Sequence, residues 1–320
     1  MRTLIYYPNC SKGGVTSVIR GRAANNPDAQ YDAIFSNERG GGPSFKGLRN
    51  VNVRVVRPDR MKTYLEYLTS RFEYDDIRVL SSPEIANNLA SHDQNVVTYE
   101  FHSSDWDIVK GEIGKLDIDR MSKIVVPSET SRRAVAGLLP KRLVGRLVVE
   151  SNLIDVNSFK PEGSDDFLDG VANGCSMVPL VWVGRFDQGK GCDYLPRIIA
   201  QLPSECHAYV VVSLENDPQR VGRFLYECDA AGVRDRVHVY MNLSPAELGN
   251  LYRSAANKGG WFVSTSLMES FGYAVREAIE CGLRVASFNL PAFEGLSSHH
   301  LYNGTPIGDV SAIAHMIKRE

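Results

Sequence analysis

Short apolar runs alternate with amphipathic stretches along the whole chain. Residues 3–7 form a β-prone run that meets Pro8-Asn9 and Lys12-Gly13-Gly14, after which 15–24 fit a helix. Strand, glycine turn and helix are the opening of an α/β domain. Further strands are predicted at 31–36, 51–57, 78–81, 95–100, 123–127 and 146–149, with a Gly-rich loop at 39–43 and a helix over 61–72. Ser128 starts another helix, which Pro140 must stop. Periodicity is lost over 159–177, where Pro161, Gly163, Asp165, Asp166, Gly170 and Gly174 read as a connection between domains. The alternation then restarts, with strands at 178–183, 208–213, 237–240, 261–266 and 284–288 and helices over 193–201, 219–231, 273–281 and 309–318. Ser244-Pro245-Ala246-Glu247 is a capping box with proline at the first helical position, and Gly282 is a helix stop. Strands alternating with helices imply a mostly parallel sheet covered on both faces. The chain therefore divides into two similar α/β units, 1–158 and 178–320, joined by 159–177.

Composition adjusts this picture only slightly. A length of 320 residues is comfortable for two domains of roughly 150 each. A net charge of -2 lacks the basic excess needed along a phosphate-rich polymer, so general nucleic-acid binding is disfavoured. Cys10, Cys175, Cys192, Cys206, Cys228 and Cys281 form no C-x-x-C pair, and no His spacing completes a zinc site. They read as scattered thiols of a reducing compartment. The N-terminus lacks an apolar signal core, and no stretch approaches the ~18 apolar residues of a membrane span. A cytoplasmic protein is expected, with reversible contact to a membrane surface left open.

Four segments carry candidate chemistry. The strand at 261–266 runs into Leu267-Met268-Glu269-Ser270-Phe271-Gly272 and then a helix. Backbone N–H groups at a helix start are free to bind an anion, and glycine permits close approach. Glu277 follows Glu269 by eight residues, where a carboxylate can accept two hydrogen bonds from a ribose diol. A solvated helix face would also explain two acids. The second segment, Gly184-Arg185-Phe186-Asp187-Gln188-Gly189-Lys190-Gly191, places two cations after a strand end, where they can neutralise a diphosphate or simply face solvent. It is neither a P-loop nor a G-x-G-x-x-G fingerprint. Gly13-Gly14 before the first helix permits close backbone approach or forms a plain turn. His102, in Tyr99-Glu100-Phe101-His102-Ser103, follows a buried strand at its carboxyl end, a position for a site residue as well as for a structural one.

Taken in order, these segments resemble the retaining glycosyltransferases of family GT4. The resemblance includes Val125-Val126-Pro127-Ser128-Glu129, Ser151-Asn152-Leu153-Ile154-Asp155 with Phe159-Lys160-Pro161, Val183-Gly184-Arg185-Phe186 with Lys190-Gly191, and Glu269-Ser270-Phe271-Gly272 through Glu277-Ala278 to Cys281-Gly282. It implies the GT-B fold, two Rossmann-like domains facing each other across a cleft, with the acceptor on the first and the nucleotide sugar on the second. It further implies that Arg185 and Lys190 bind the donor diphosphate and Glu277 the ribose. Glu269 would contact the transferred sugar, and the amides of Ser270, Phe271 and Gly272 would hold phosphate and sugar. Gly13-Gly14 would approach the donor from the other domain, and His102 would lie beside the reacting sugar. Base recognition is expected from backbone groups around Met241-Asn242. The implied reaction is metal-independent transfer with retention, from a UDP-sugar (favoured) or GDP-sugar to a glycan, lipid-linked or small-molecule hydroxyl.

Departures from the family pattern are Leu153 in place of the usual Gly and Arg276 in place of an apolar residue. The family's terminal crossover helix is also not found: 309–320 reads as the ordinary end of a domain. A sugar-nucleotide epimerase of the same fold is the nearest alternative. A phosphorylase would need a pyridoxal-phosphate lysine context that is not seen. A non-catalytic nucleotide-sugar-binding protein is disfavoured by the intact Arg185, Lys190, Glu269 and Glu277.

Overall fold

The computed structural model describes residues 1–92, 94–103, 105–169, 177–212 and 219–319, and its contacts divide into two units, Met1–Asp155 and Val156–Glu320. The first unit contains strands β1 (Arg2–Ser11), β2 (Gln30–Arg39), β3 (Val51–Val55), β4 (Asp76–Leu80), β5 (Val97–Glu100), β6 (Lys123–Val126) and β7 (Leu147–Val149). Its helices are α1 (Gly14–Asn25), α2 (Pro58–Arg71), α3 (Pro83–Leu89), α4 (Trp106–Lys115) and α5 (Glu129–Ala136). The second unit contains β8 (Val178–Gly184), β9 (Cys206–Val212), β10 (Val237–Met241), β11 (Trp261–Ser264), β12 (Arg284–Phe288) and β13 (Tyr302–Thr305). Its helices are α6 (Tyr194–Ile199), α7 (Gln219–Ala230), α8 (Pro245–Asn257), α9 (Tyr273–Glu280) and α10 (Val310–Lys318).

Both sheets are parallel and doubly wound. Their orders are β3-β2-β1-β4-β5-β6-β7 and β10-β9-β8-β11-β12-β13. In each, the winding reverses once, between β1 and β4 in the first unit and between β8 and β11 in the second. Such a reversal parts the loops that follow the two strands and opens a crevice at their carboxyl ends.

Burial on both sheet faces explains why the strands read as nearly continuous apolar runs. In the first unit Leu4, Tyr6, Ile34, Val79, Val97, Tyr99, Ile124 and Val126 pack with side chains of α2 to α5. Ile5, Ala33, Phe35 and Leu80 pack on the opposite side with Ile19 and Ala23 of α1. In the second unit Leu180, Trp182, Val210, Val263 and Phe288 pack with Leu195, Phe224, Ile313 and Ile317. Cys10, Cys192, Cys206, Cys228 and Cys281 are buried free thiols, and Cys175 lies outside the described residues. No helix among the described residues is long and apolar enough to cross a membrane.

Several elements differ from the sequence expectation. β1 does not end at Tyr7: it passes through Pro8 and pairs with β2 as far as Ser11↔Arg39. β4 ladders only Thr3–Tyr6 of β1, so Pro8 lies where one side of the strand is unpaired and its missing N–H does no harm. β13, Tyr-Asn-Gly-Thr, carries Asn and Gly, which weaken a strand signal; at Gly304 a Cβ would lie 1.7 Å from Asn289 Oδ1, so a side chain there would have to displace Asn289. Residues 159–169 of the expected connection are held by the second unit, which also takes in 156–158. Phe159 and Leu168 are buried, and Asn250 and Ser254 of α8 accept the N–H groups of Phe167 and Leu168. The buried Arg253 donates to the carbonyls of Ser164 (2.8 Å), Lys160 (3.2 Å) and Ser158 (3.3 Å). The remainder of the expected connection within 170–176, and Ser213 of the predicted strand, lie outside the described residues.

Arg253→Met removes the donor for three backbone carbonyls at once. It is expected to cost about 1–3 kcal/mol in denaturant unfolding and to speed proteolysis within 156–169; unchanged stability and cleavage would show that the segment is held by its apolar contacts alone.

Candidate functional site

At the carboxyl edge of the second sheet, the register aligns Gly184 of β8 with Val212 of β9, and Val212 with Met241 of β10. The loops after β8, β10 and β11 therefore leave from one edge. Ser264 of β11 sits beside Ser287 of β12 at the same level.

The loop after β8 is pinned at several points. Phe186 stacks between Trp182 (5.7 Å) and Phe224 (4.6 Å), and Arg220 donates to its carbonyl. Asp187 joins the two cationic residues: Oδ1 accepts the Lys190 N–H at 3.0 Å while Oδ2 pairs with Arg185 Nε at 3.1 Å. Arg185 is otherwise half exposed. Gly191 then turns at φ +56, and a Cβ there would meet the Thr265 carbonyl oxygen at 2.3 Å, so only glycine fits.

Thr265 ties this loop to the one after β11. The buried Trp182 Nε1–H donates to Thr265 Oγ1 at 2.9 Å, and Thr265 Oγ1 donates to the Lys190 carbonyl at 3.0 Å. Leu267 N–H donates to the Gly189 carbonyl at 2.8 Å. The two loops thus share a rigid seam, and it carries the charged pair: Lys190 Nζ lies 2.5 Å from Glu269 Oε1, which also accepts from Ser266 Oγ at 2.8 Å.

The chain then enters α9 through Gly272, at φ +77. A Cβ there would lie 2.2 Å from the Phe293 ring. α9 has neither a capping side chain nor an acid in its first turn, which leaves the positive end of its dipole without a side-chain counter-charge. Phe271 is buried against this turn. Arg276 reaches back, donating to the Phe271 carbonyl (3.1 Å) and the Ala292 carbonyl (3.2 Å) with its guanidinium 4.4 Å from the Phe271 ring. Burial depresses the Arg276 pKa, so a partly desolvated cation stands one turn from the start of α9. Glu277 is 7% exposed. Next to it burial, and secondarily the Glu277 charge, push the Tyr252 phenol well above its ordinary range.

Met241 closes β10 and is half exposed; Asn242 follows at φ +57, its N–H donating to the Val212 carbonyl. Asparagine is one of the few non-glycine residues that tolerates this left-handed conformation. Arg185, Lys190, Met241, Asn242, Glu269, Ser270, Phe271, Gly272 and Glu277 all belong to the second unit. Gly13, Gly14 and His102 belong to the first. Gly13 is the extended N-cap of α1, again without a capping side chain or a first-turn acid. Neither its φ of -97 nor packing, where a Cβ would meet only Ser11 Oγ at 3.2 Å, demands glycine there. His102 sits beyond β5, with Nε2 2.7 Å from Glu100. Sequence reasoning missed Asp187, Thr265, Ser266 and Phe293. Only Asp187, three residues before Lys190 in a turn, carried a local signal, that of a cap.

Residues 179–318 match the family described as Glycosyl transferases group 1. The matched segment lies within the second unit, and the similarity to that family is confined to it. A probable sucrose-phosphate synthase of Thermosipho melanesiensis is 25% identical over 134 residues, which is 42% of this chain and only 30% of that relative's length. HepE from Anabaena, solved with UDP and glucose, superposes with a TM-score of 0.79 at 19% identity, covering 100% of this chain and 89% of that one. Sucrose-phosphate synthase from Thermosynechococcus elongatus gives 0.75 at 18% identity, with the same 100% and 89% coverage. The chain has the GT-B fold of these glycosyltransferases, built from two Rossmann-like domains.

Gly272→Ala meets both a left-handed backbone and the Phe293 ring. It is expected to cost about 1–3 kcal/mol in thermal or denaturant unfolding, with partial recovery when Phe293→Leu is added; an unaffected melting curve would mean the turn is not held as described.

Proposed function

We propose that the chain is a retaining glycosyltransferase that takes a nucleotide-diphosphate sugar, UDP-linked in preference to GDP-linked, and transfers the sugar to a hydroxyl of a glycan, lipid-linked or small-molecule acceptor. The observation that carries this reading is the seam at the switch point of the second sheet. It sets Lys190 and Glu269 in contact beside α9, a helix without a capping side chain that bears Glu277 in its second turn. A diphosphate needs cations and N–H donors, a ribose diol needs a carboxylate, and a transferred sugar needs a polar anchor. Arg185 and Lys190, the α9 amides, Glu277 and Glu269 are groups of those kinds on one sheet edge. The UDP and glucose bound by HepE favour the UDP branch.

In the proposed reaction the bond between the sugar C1 and the diphosphate oxygen breaks while the acceptor oxygen bonds to C1 from the same face. The acceptor proton passes to the departing diphosphate, so no strong protein base is required. Arg185, Lys190 and the α9 amides stabilise the charge gathering on the leaving group. Glu269 orients the sugar through a carboxylate already held by Ser266 and Lys190. His102 is assigned to the reacting-sugar side from the first domain. No metal takes part in this scheme.

A thermal-shift panel of UDP, GDP, ADP, TDP and their sugar conjugates tests the donor. A ligand at about 100 times its Kd adds about 2.7 kcal/mol to stability, a clear rise in Tm. Stabilisation by UDP and UDP-sugars is expected; stabilisation by GDP alone would move the donor assignment, and no response to any nucleotide would favour a different site. Lys190→Ala is expected to weaken UDP binding roughly 10- to 100-fold and to lower turnover with it, whereas Glu277→Ala should weaken the nucleoside as well as the nucleotide. Turnover with an identified donor should be unchanged by EDTA, and strong inhibition would overturn the metal-free scheme.

A further inference from the structure

The first unit contains a buried ionic network that the scheme above does not use. Glu100, the last residue of β5, is fully buried. Arg22 of α1 grips it with both guanidinium nitrogens, Nη1 to Oε1 at 2.8 Å and Nη2 to Oε2 at 2.9 Å. Arg78 of β4 adds a third contact, Nη1 to Oε1 at 2.9 Å, and itself pairs with Asp76 at 2.7 Å and Glu150 at 2.5 Å. The fourth partner is the imidazole of His102, whose side chain is only 5% exposed and whose Nε2 lies 2.7 Å from Oε2.

We infer that Glu100 is a positioning residue for His102: it holds the ring in one orientation with the proton on Nε2, leaving Nδ1 as the only ring nitrogen able to engage a ligand. The argument begins with the carboxyl. Burial alone would push its pKa up, but Arg22, His102 and Arg78 together hold it well below the usual carboxylate range. An ionised carboxylate can only accept hydrogen bonds, so the short contact requires the imidazole to donate from Nε2. That holds for the neutral ring and for the charged one. A bidentate guanidinium fixes the carboxylate plane, and the plane fixes the direction of Oε2. Removing this carboxylate would take from Arg22 its bidentate acceptor, leaving it a 3.8 Å contact to Glu150, while Arg78 would keep Asp76 and Glu150. His102 follows the strand next to β4, on the carboxyl edge of the first sheet beside its switch point. The place of His102 at the transferred sugar rests on the function proposed above; the tautomer does not.

The test uses the full chain labelled with 15N-histidine. Long-range 1H–15N spectra, with His102 assigned by its loss in His102→Asn, should show the proton on Nε2 and, in the neutral ring, a bare Nδ1. The Nε2 proton should exchange slowly with solvent and become roughly 10- to 100-fold faster in Glu100→Gln or, should that variant not fold, in Glu100→Asp, whose shorter carboxylate keeps its charge. A proton on Nδ1, or an exchange rate indifferent to residue 100, overturns the inference in any protein that folds. With an identified donor, Glu100→Gln should lower kcat while leaving UDP stabilisation intact. It should also add nothing to the loss caused by His102→Asn; losses that multiply would mean that Glu100 acts through the fold. If the NMR result holds while no donor is turned over by the unaltered protein, the transferase reading fails and the tautomer stands.

Discussion

A parallel sheet returns every strand to the same starting edge, so all its carboxyl ends, and the loops that leave them, crowd together at the other. Where the winding reverses, the two loops on either side part and leave a crevice. Everything distinctive about the second unit depends on that constraint. The loops after β8 and β11 come from residues about 80 apart in sequence, Lys190 and Glu269, yet the pairing of the two strands brings them into hydrogen-bond contact. Trp182, Thr265 and the Lys190 carbonyl turn that proximity into a fixed geometry, because each polar atom in the chain is buried enough to need its partner.

Fixed geometry matters for the proposed chemistry. Charge stabilisation on a leaving diphosphate works when the donors are in place before the charge arrives, with no reorganisation left to do. Lys190 is held at its backbone by Asp187 and Thr265 and at its tip by Glu269. The entry to α9 is braced from two sides, by Phe293 against Gly272 and by Arg276 across the Phe271 and Ala292 carbonyls. Arg276, a departure from the family pattern, thus has a structural account: it closes the turn into α9 through the Phe271 and Ala292 carbonyls and the Phe271 ring.

The first unit applies the same logic with different residues. There Glu100, fully buried, meets two arginines and a histidine in one network. A buried carboxylate with so many donors is locked in both charge and direction, and it can pass that order to the one side chain at its border.

Much of the fold was legible along the chain. Apolar runs of strand length between amphipathic stretches gave the parallel α/β units, because burial on both faces leaves a continuous apolar signature. The capping box at Ser244 and the stop at Gly282 marked helix ends through local hydrogen bonding. Arg185, Lys190, Glu269 and Glu277 were visible as residues of the right chemistry after strand ends. The far limit of β1 was not legible, because Pro8 breaks a strand unless its neighbour has already ended, and that is known only once β4 is paired. Nor were the roles of Asp187, Thr265, Ser266, Phe293 and Glu100, since each acts on a residue brought near by strand pairing or turn geometry. The sequence by itself determined the periodicities, the caps and the inventory of reactive groups, which are matters of local conformation and residue chemistry. Only the tertiary structure decided which groups meet, because that depends on strand order and register, contacts between segments far apart in the chain.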